Sequence, residues 1–178
     1  MERHGLIIVH TGEGKGKTTA ALGLAMRAWG DGLRVLILQF IKGRWTYGEL
    51  KTIETLRAAD GRIELRRCGL GFTKRDGAER EKHRAAAVEA LRQAERAITG
   101  ENWDMVILDE LNYAVSFGLV TVGEALALLR AKPDEMHLVL TGRDAAPELV
   151  EAADLVTEMR LVKHPFARGI KAQQGIEF

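Results

Sequence analysis

The sequence predicts an α/β fold, a three-layer αβα domain around a mostly parallel sheet. Two observations carry that prediction. Short β-branched runs alternate with helical stretches along the 178 residues. The strongest run, Leu-Arg-Val-Leu-Ile-Leu-Gln-Phe at 33–40, is apolar on both faces, as suits a parallel strand covered by helices on both sides.

Taken in order, residues 6–10 read as a buried strand, and 16–29, rich in Ala, Leu and Met, as the helix that follows it. The second strand is 33–40, and 47–58 is helical. Residues 62–67 (RIELRR) alternate in polarity and read as a weaker, partly exposed strand. The longest helix covers 78–99, where Val88, Leu91, Ala94 and Ile98 form an apolar stripe. Its Glu- and Arg-rich remainder is a solvated face. A strand at 105–108, a helix at 120–129, a strand at 136–140, a helix at 146–152 and a strand at 155–159 complete the alternation. The tail, 163–178, reads as irregular. No internal repeat, low-complexity tract or long linker interrupts the chain, so 1–178 is expected to be one domain.

Composition narrows the function. Hydrophobic residues make up 46% and charged residues 29%, with net charge +1 and a sequence pI of 7.9. No strong overall field draws such a chain to nucleic acid or to an anionic membrane, and neither partner is expected. The first apolar run, Leu6-Ile7-Ile8-Val9, is far shorter than the ~20 residues that span a bilayer. It also lacks a small-residue cleavage site. The single cysteine, Cys68, cannot close an internal disulfide, which points to a reducing compartment. A cytoplasmic location is expected, with Cys68 as a small half-buried hydrophobe rather than a nucleophile or metal ligand.

The chemistry sits where the first strand meets the first helix: His10-Thr11-Gly12-Glu13-Gly14-Lys15-Gly16-Lys17-Thr18-Thr19. Glycines let the backbone aim several N–H groups at one anion. The helix N-terminus adds partial positive charge. Lys17 reaches toward phosphates, and the Thr18 hydroxyl suits Mg²⁺. This pattern predicts a P-loop NTPase-like domain with 12–18 as its phosphate site. Gly12, Glu13, Gly14, Lys15, Gly16, Lys17, Thr18 and Thr19 are the expected nucleotide contacts. The usual motif has four residues between its first glycine and the Gly-Lys-Thr. Here three separate Gly12 from Gly16, and Thr11 stands at the four-spaced position. A tighter loop that holds its nucleotide differently is therefore expected.

A second apolar strand, Met105-Val106-Ile107-Leu108, ends in Asp109 and Glu110. In a parallel sheet the C-terminal ends of the strands share one edge, so these carboxylates should face the metal held by Thr18. Asp109 would also serve as a helix N-cap. The loop after the second strand offers Lys42 and Trp45, a cation for phosphates or carboxylates and an aromatic for a flat ligand. A local hydrophobic cluster with solvated charges explains the same residues. Gly69-Leu70-Gly71-Phe72-Thr73-Lys74 places an aromatic at a loop tip, and Arg143 follows the strand at 136–140. Lys163, His164, Arg168 and Lys171 are candidates to close over an anion. The chain shows no Ser-His-Asp pattern, zinc-ligand spacing or nucleic-acid motif.

Several blocks together resemble one family: TGEGKGKTTAALG, LQFIKGRW, GFTK, WDMVILDELNYA, LVLTGRDA and VKHPFARGIKAQQGIEF. In order and over nearly the whole chain, they are similar to the P-loop ATP:corrinoid adenosyltransferases, including cob(I)yrinic acid a,c-diamide adenosyltransferase. The resemblance implies transfer of the 5′-deoxyadenosyl group of ATP to Co(I) of a corrinoid, with triphosphate leaving. It implies ATP as co-substrate with Mg²⁺, a flavoprotein reductant and a homodimer. It also implies an ATP orientation reversed relative to other P-loop proteins. Lys17, Phe72 and Glu110 become the expected catalytic residues, Thr18, Asp109 and Glu110 the metal ligands, and Lys42, Trp45 and Arg143 additional ATP contacts. Phe72 matches the phenylalanine that displaces the corrinoid's lower ligand in such enzymes, whereas Lys74 stands where a tryptophan is common. Only residues 1–5 precede the first strand, where some relatives carry a longer segment that covers the partner subunit's site. A more open site or another closing element is expected. The rival readings are a P-loop ATPase or small-molecule kinase with conventional phosphoryl transfer, and a nucleotide-binding regulatory module.

Overall fold

The computed structural model describes residues 4–43, 47–71 and 78–177. Six strands form one sheet in the order β3-β2-β4-β5-β1-β6, and every neighbouring pair is parallel. They are β1 (Ile7–Thr11), β2 (Val35–Gln39), β3 (Ile63–Arg67), β4 (Met105–Asp109), β5 (His137–Thr141) and β6 (Leu155–Glu158). The helices are α1 (Lys17–Gly30), α2 (Gly48–Asp60), α3 (Ala78–Thr99), α4 (Leu111–Ser116), α5 (Val122–Arg130) and α6 (Pro147–Glu151).

Two apolar clusters explain the layers. On one face Ile8, Ile37, Ile107 and Val139 of the sheet pack against Ala21, Ala25 and Ala28 of α1 and Ile53 of α2. On the other, Val9, Leu38, Leu108 and Leu140 pack against residues of α3, α4, α5 and α6. The central strands β2 and β4 are buried along their full length, which is why their sequences are continuously apolar. The edge strand β6 is exposed at all four positions.

The expected elements lie within two residues of the observed ones. Three details differ. The buried face of α3 centres on Ala87, Ala90, Leu91, Ala94, Ala97 and Ile98, while Val88 is half-buried. Alanines rather than the larger stripe residues let this helix settle close to the sheet. α4 carries no readable period because it is under two turns long. Inside the tail, expected to be irregular, Pro165–Arg168 forms a 3₁₀ turn capped by His164, whose side chain accepts from the Phe166 N–H.

Strand order does more for the site than any single element. β1 carries the glycine-rich loop and β4 the acidic end, and β5 lies between them. Connections leave β1 and β5 toward opposite faces of the sheet, which opens a crevice at their C-terminal ends.

Candidate functional site

Polar residues end four neighbouring strands on the α1 face. Gln39 of β2 is in register with Asp109 of β4, and His10 of β1 with Thr141 of β5. All four are buried. Burying polar groups is costly unless they are hydrogen-bonded, and Asp109 collects the bonds that satisfy its neighbours Gln39 and Thr141, though not His10. Its Oδ1 accepts from the Thr18 hydroxyl and the Thr141 hydroxyl, each at 2.8 Å. Its Oδ2 accepts from the Gln39 amide at 3.0 Å, with the Lys42 ammonium 3.7 Å away. The Thr18 proton is thus committed to Asp109, which leaves the hydroxyl lone pairs free to meet a cation.

Thr141 has a second task. Its hydroxyl accepts from the Glu110 N–H at 2.9 Å. That bond holds Glu110 at φ 63° and ψ 22°, a left-handed conformation uncommon outside glycine. Glu110, not Asp109, therefore stands at the N-cap of α4, and its side chain makes no cap bond. Burial, and then the neighbouring Asp109, raise the Glu110 carboxyl above the ordinary glutamate range, with Lys17, Lys42 and Arg143 acting the other way.

The loop closes tightly. Gly16 precedes α1 at φ 109° and Gly12 turns at φ 93°; a Cβ at Gly12 would lie 2.6 Å from the Met159 carbonyl oxygen. Met159 brackets the loop, accepting from the Gly14 N–H at 2.6 Å and donating its own N–H to the Thr11 carbonyl at 2.8 Å. Thr11, at the position where the usual motif has glycine, accepts the Ala145 N–H through its hydroxyl at 3.2 Å. The departure from the usual spacing thus ties the loop to the segment after β5. Lys17 is buried, and its ammonium donates to the carbonyls of Gly12 and Gly14 at 2.6 and 2.7 Å. Burial lowers its pKa, and Glu110 acts to restore it.

The outer loop side chains are paired. Glu13 lies 3.5 Å from Arg143, and Lys15 pairs with Glu177. Thr19 is exposed on the first turn of α1. Lys42 also lies 3.4 Å from Glu49 and 4.7 Å from the centre of the Tyr47 ring. The structure therefore brings together the loop, Lys42, Asp109, Glu110 and Arg143. Trp45 and Phe72 lie outside the described residues, as do Thr73 and Lys74. Cys68 is half-buried, and burial pushes its thiol up to about 11, which keeps it protonated and unreactive at neutral pH.

Sequence reasoning did not single out Gln39, Thr141 or His10. A usable signal existed: each is a polar residue at the C-terminal end of an otherwise apolar strand. A cleft of about 350 Å³ flanks the loop, walled by Thr11, Gly12, Ala145, Val150 and Val156. A second, about 390 Å³, lies at the opposite edge of the sheet, around 98–104 and 133–136, away from this chemistry. No group of three or more His, Cys, Asp or Glu placed to hold a metal occurs among the described residues. None of their helices is long and apolar enough to cross a membrane.

Known proteins match both the sequence and the fold. Residues 3–178 match the family described as ATP:corrinoid adenosyltransferase BtuR/CobO/CobP. A corrinoid adenosyltransferase of Sinorhizobium sp. is 44% identical over 99% of this chain and 82% of its own length. That of Escherichia coli K12 is 41% identical over 100% of this chain and 88% of its own. The fold is similar to those of the flagellar accessory protein FlaH from Methanocaldococcus jannaschii and the KaiC-like protein PH0186 from Pyrococcus horikoshii. Their TM-scores are 0.58 and 0.56, both at 14% identity, covering 88% and 90% of this chain and 71% and 74% of theirs. With a site built around a phosphate loop and a family match over nearly its whole length, this chain belongs to the ATP:corrinoid adenosyltransferase family.

Proposed function

We propose that this protein transfers the 5′-deoxyadenosyl group of ATP to Co(I) of a corrinoid and releases inorganic triphosphate. The observation that carries the reading is the family match over residues 3–178, which takes in a glycine-rich loop that holds the Lys17 ammonium against its carbonyls and Thr18 beside Asp109. The Co(I) electron pair attacks C5′ of the ribose. The cobalt–carbon bond forms as the C5′–O bond breaks, and triphosphate leaves with that bond's electrons. Little acid–base chemistry is required, so positioning and charge stabilisation dominate.

The geometry supports the roles of Lys17, Arg143, Lys42, Lys15 and Asp109, and the family resemblance supports the ATP orientation and the roles of Phe72 and Trp45. Lys17 exchanges the carbonyls of Gly12 and Gly14 for phosphate oxygens, and the free N–H groups of residues 12–18 line the same anion. Arg143, Lys42 and Lys15 surround it with further positive charge. Asp109 acts as a positioning residue, orienting the Thr18 hydroxyl and, through Thr141, the backbone of Glu110. ATP lies reversed relative to other P-loop proteins, with C5′ toward the corrinoid. Phe72 displaces the corrinoid's lower ligand, and Trp45 packs against a flat ligand.

Mg²⁺ fits this donor set. It is commonly held by one or two carboxylates together with substrate phosphates rather than by a protein cage. The Thr18 hydroxyl and Glu110 carboxylate would hold it, with Asp109 behind Thr18. When bound it neutralises charge on the triphosphate. A cation would also relieve the burial that disfavours a charged Glu110.

We further propose that residues 1–178 act as one cytoplasmic domain, that a reduced flavoprotein supplies the electron that makes Co(I), and that the chain works as a homodimer. The exposed edge strand β6, with Leu155 and Val156 open to solvent, supports self-association. The test is an anaerobic assay with chemically reduced cob(I)alamin, Mg²⁺ and ATP, followed by the light-sensitive adenosylcobalamin spectrum. Adenosylcobalamin is the expected product; none from protein shown to bind ATP would overturn the reading.

A further inference from the structure

β2 and β3 stay joined past the ends of their strands. Gln39 of β2 is in register with Arg67 of β3. Beyond that pair the Gln39 carbonyl accepts from the Cys68 N–H at 3.0 Å and the Gly69 N–H at 3.2 Å, and the Ile41 carbonyl accepts from the Gly71 N–H at 2.8 Å. Two glycines make the approach possible. A Cβ at Gly69 would lie 2.3 Å from the Ile41 carbonyl carbon and oxygen, and one at Gly43 would lie 2.8 Å from the Gly71 nitrogen and the Leu70 carbonyl carbon. Neither glycine has a positive φ, the conformation that favours glycine by itself. What these two positions demand is room for a second backbone.

Lys42 stands between Ile41 and Gly43, on the joined stretch. Its half-buried ammonium is 3.7 Å from Asp109 Oδ2 and 3.4 Å from Glu49. Gln39 ties the same junction from below: its amide donates to Asp109, while its carbonyl takes the two N–H groups of the neighbouring loop. A lysine head rides on a flexible four-carbon stem, so its direction depends on how firmly its backbone is held. Resting on the reading of Lys42 as an ATP contact, we infer that Gly43 and Gly69 are positioning residues for Lys42. By docking residues 68–71 against 39–43 they hold its ammonium beside the carboxylate end of β4, where the phosphates bind. They touch no substrate and act through Lys42. Docking that favours ATP is in turn favoured by ATP, because such coupling is reciprocal.

The test measures MgATP binding to the full chain by calorimetry, with no corrinoid present, so it does not depend on turnover. Lys42→Ala should weaken binding about tenfold, as loss of a hydrogen bond between charged groups does. Gly43→Ala and Gly69→Ala should each weaken it about threefold to tenfold, the span expected for residues coupled through a backbone shift. In the Lys42→Ala background neither should add more than about twofold. Gly48→Ala, nearby but with nothing within 4 Å of its added Cβ, should bind as the parent protein does. Urea midpoints show which variants fold. Should the glycine variants unfold, the parent protein carries the test: MgATP should slow amide exchange at Cys68, Gly69 and Gly71, and should not do so in Lys42→Ala at saturating MgATP. Full additivity of the glycine and Lys42 effects, unchanged affinity in both glycine variants, or amide exchange indifferent to MgATP would overturn the inference. Unchanged affinity in Lys42→Ala would overturn it too while leaving the transferase reading intact. If the parent protein does not bind MgATP, both readings fall.

Discussion

The phosphate loop and the segment that follows β6 touch each other, yet they are built on opposite plans. In the loop edge the polar groups turn inward: Asp109 takes bonds from Thr18, Thr141 and Gln39, and Lys17 is satisfied by two loop carbonyls. In residues 160–176 the cations are in no ion pair among the described residues, and large apolar side chains such as Val162 and Phe166 face solvent. A surface whose bonds are already made internally presents one fixed shape, which suits a ligand that never varies, such as a triphosphate. A surface with its charges outward carries energy only when a partner of the right charge arrives.

That contrast can be broken at either side. The largest effect is expected at the loop. Lys17→Ala should lower kcat about 100-fold or more at saturating ATP, as loss of a preorganised charge facing a developing anion typically does. Steady-state rates with chemically reduced cob(I)alamin check it, and full activity would remove Lys17 from the chemistry. Next, Asp109→Ala leaves the Thr18 and Thr141 hydroxyls and the Gln39 amide without their acceptor. Urea unfolding should show a loss of about 3 kcal/mol, the scale expected for buried donors stripped of a charged partner. A loss below about 0.5 kcal/mol would mean that the polar row does not hold this edge together. Replacing Lys163, Arg168 and Lys171 by Gln, by contrast, should leave stability untouched, since none of them is in an ion pair among the described residues.

The smallest effect sharpens the comparison from beneath the loop. His10 is buried, and among the described residues neither of its ring nitrogens has a hydrogen-bond partner. Burial lowers its pKa below the ordinary 6.5. Above that value both the folded and unfolded imidazole are neutral, and nothing is lost. As pH falls below 6.5 the unfolded chain takes up a proton that the folded one resists, so stability falls until the lowered folded pKa is reached. His10→Phe should therefore match the parent protein at pH 7.5 and become relatively more stable toward pH 5, read as the difference in urea midpoints. A constant difference across that range would show that His10 is not held neutral.

The sequence made some of this visible and hid the rest for physical reasons. The strands β1, β2, β4 and β5 were legible because burial on both faces makes them continuously apolar. The loop was legible because glycine, lysine and threonine at that spacing have few other uses. α4 was not, since six residues starting from a left-handed Glu110 show no helical period. The partnership of Asp109 with Thr141 was hidden too. The two residues are 32 apart in sequence, and only the strand order sets β5 between β1 and β4. Arg143 was visible as a loop cation, but its pairing with Glu13 depends on the same strand order. The cations of residues 160–176 were visible as composition, yet the anchors of that segment on the loop, Met159 and Glu177, exist only in three dimensions.

The central claim is that this edge holds a triphosphate that leaves as one piece when carbon is attacked. Phosphorus NMR of an anaerobic reaction with ATP, Mg²⁺ and chemically reduced cob(I)alamin tests it directly. The account predicts inorganic triphosphate appearing in equal amount with adenosylcobalamin. Orthophosphate and ADP, with no adenosylcobalamin formed, would contradict it and assign the loop to conventional phosphoryl transfer.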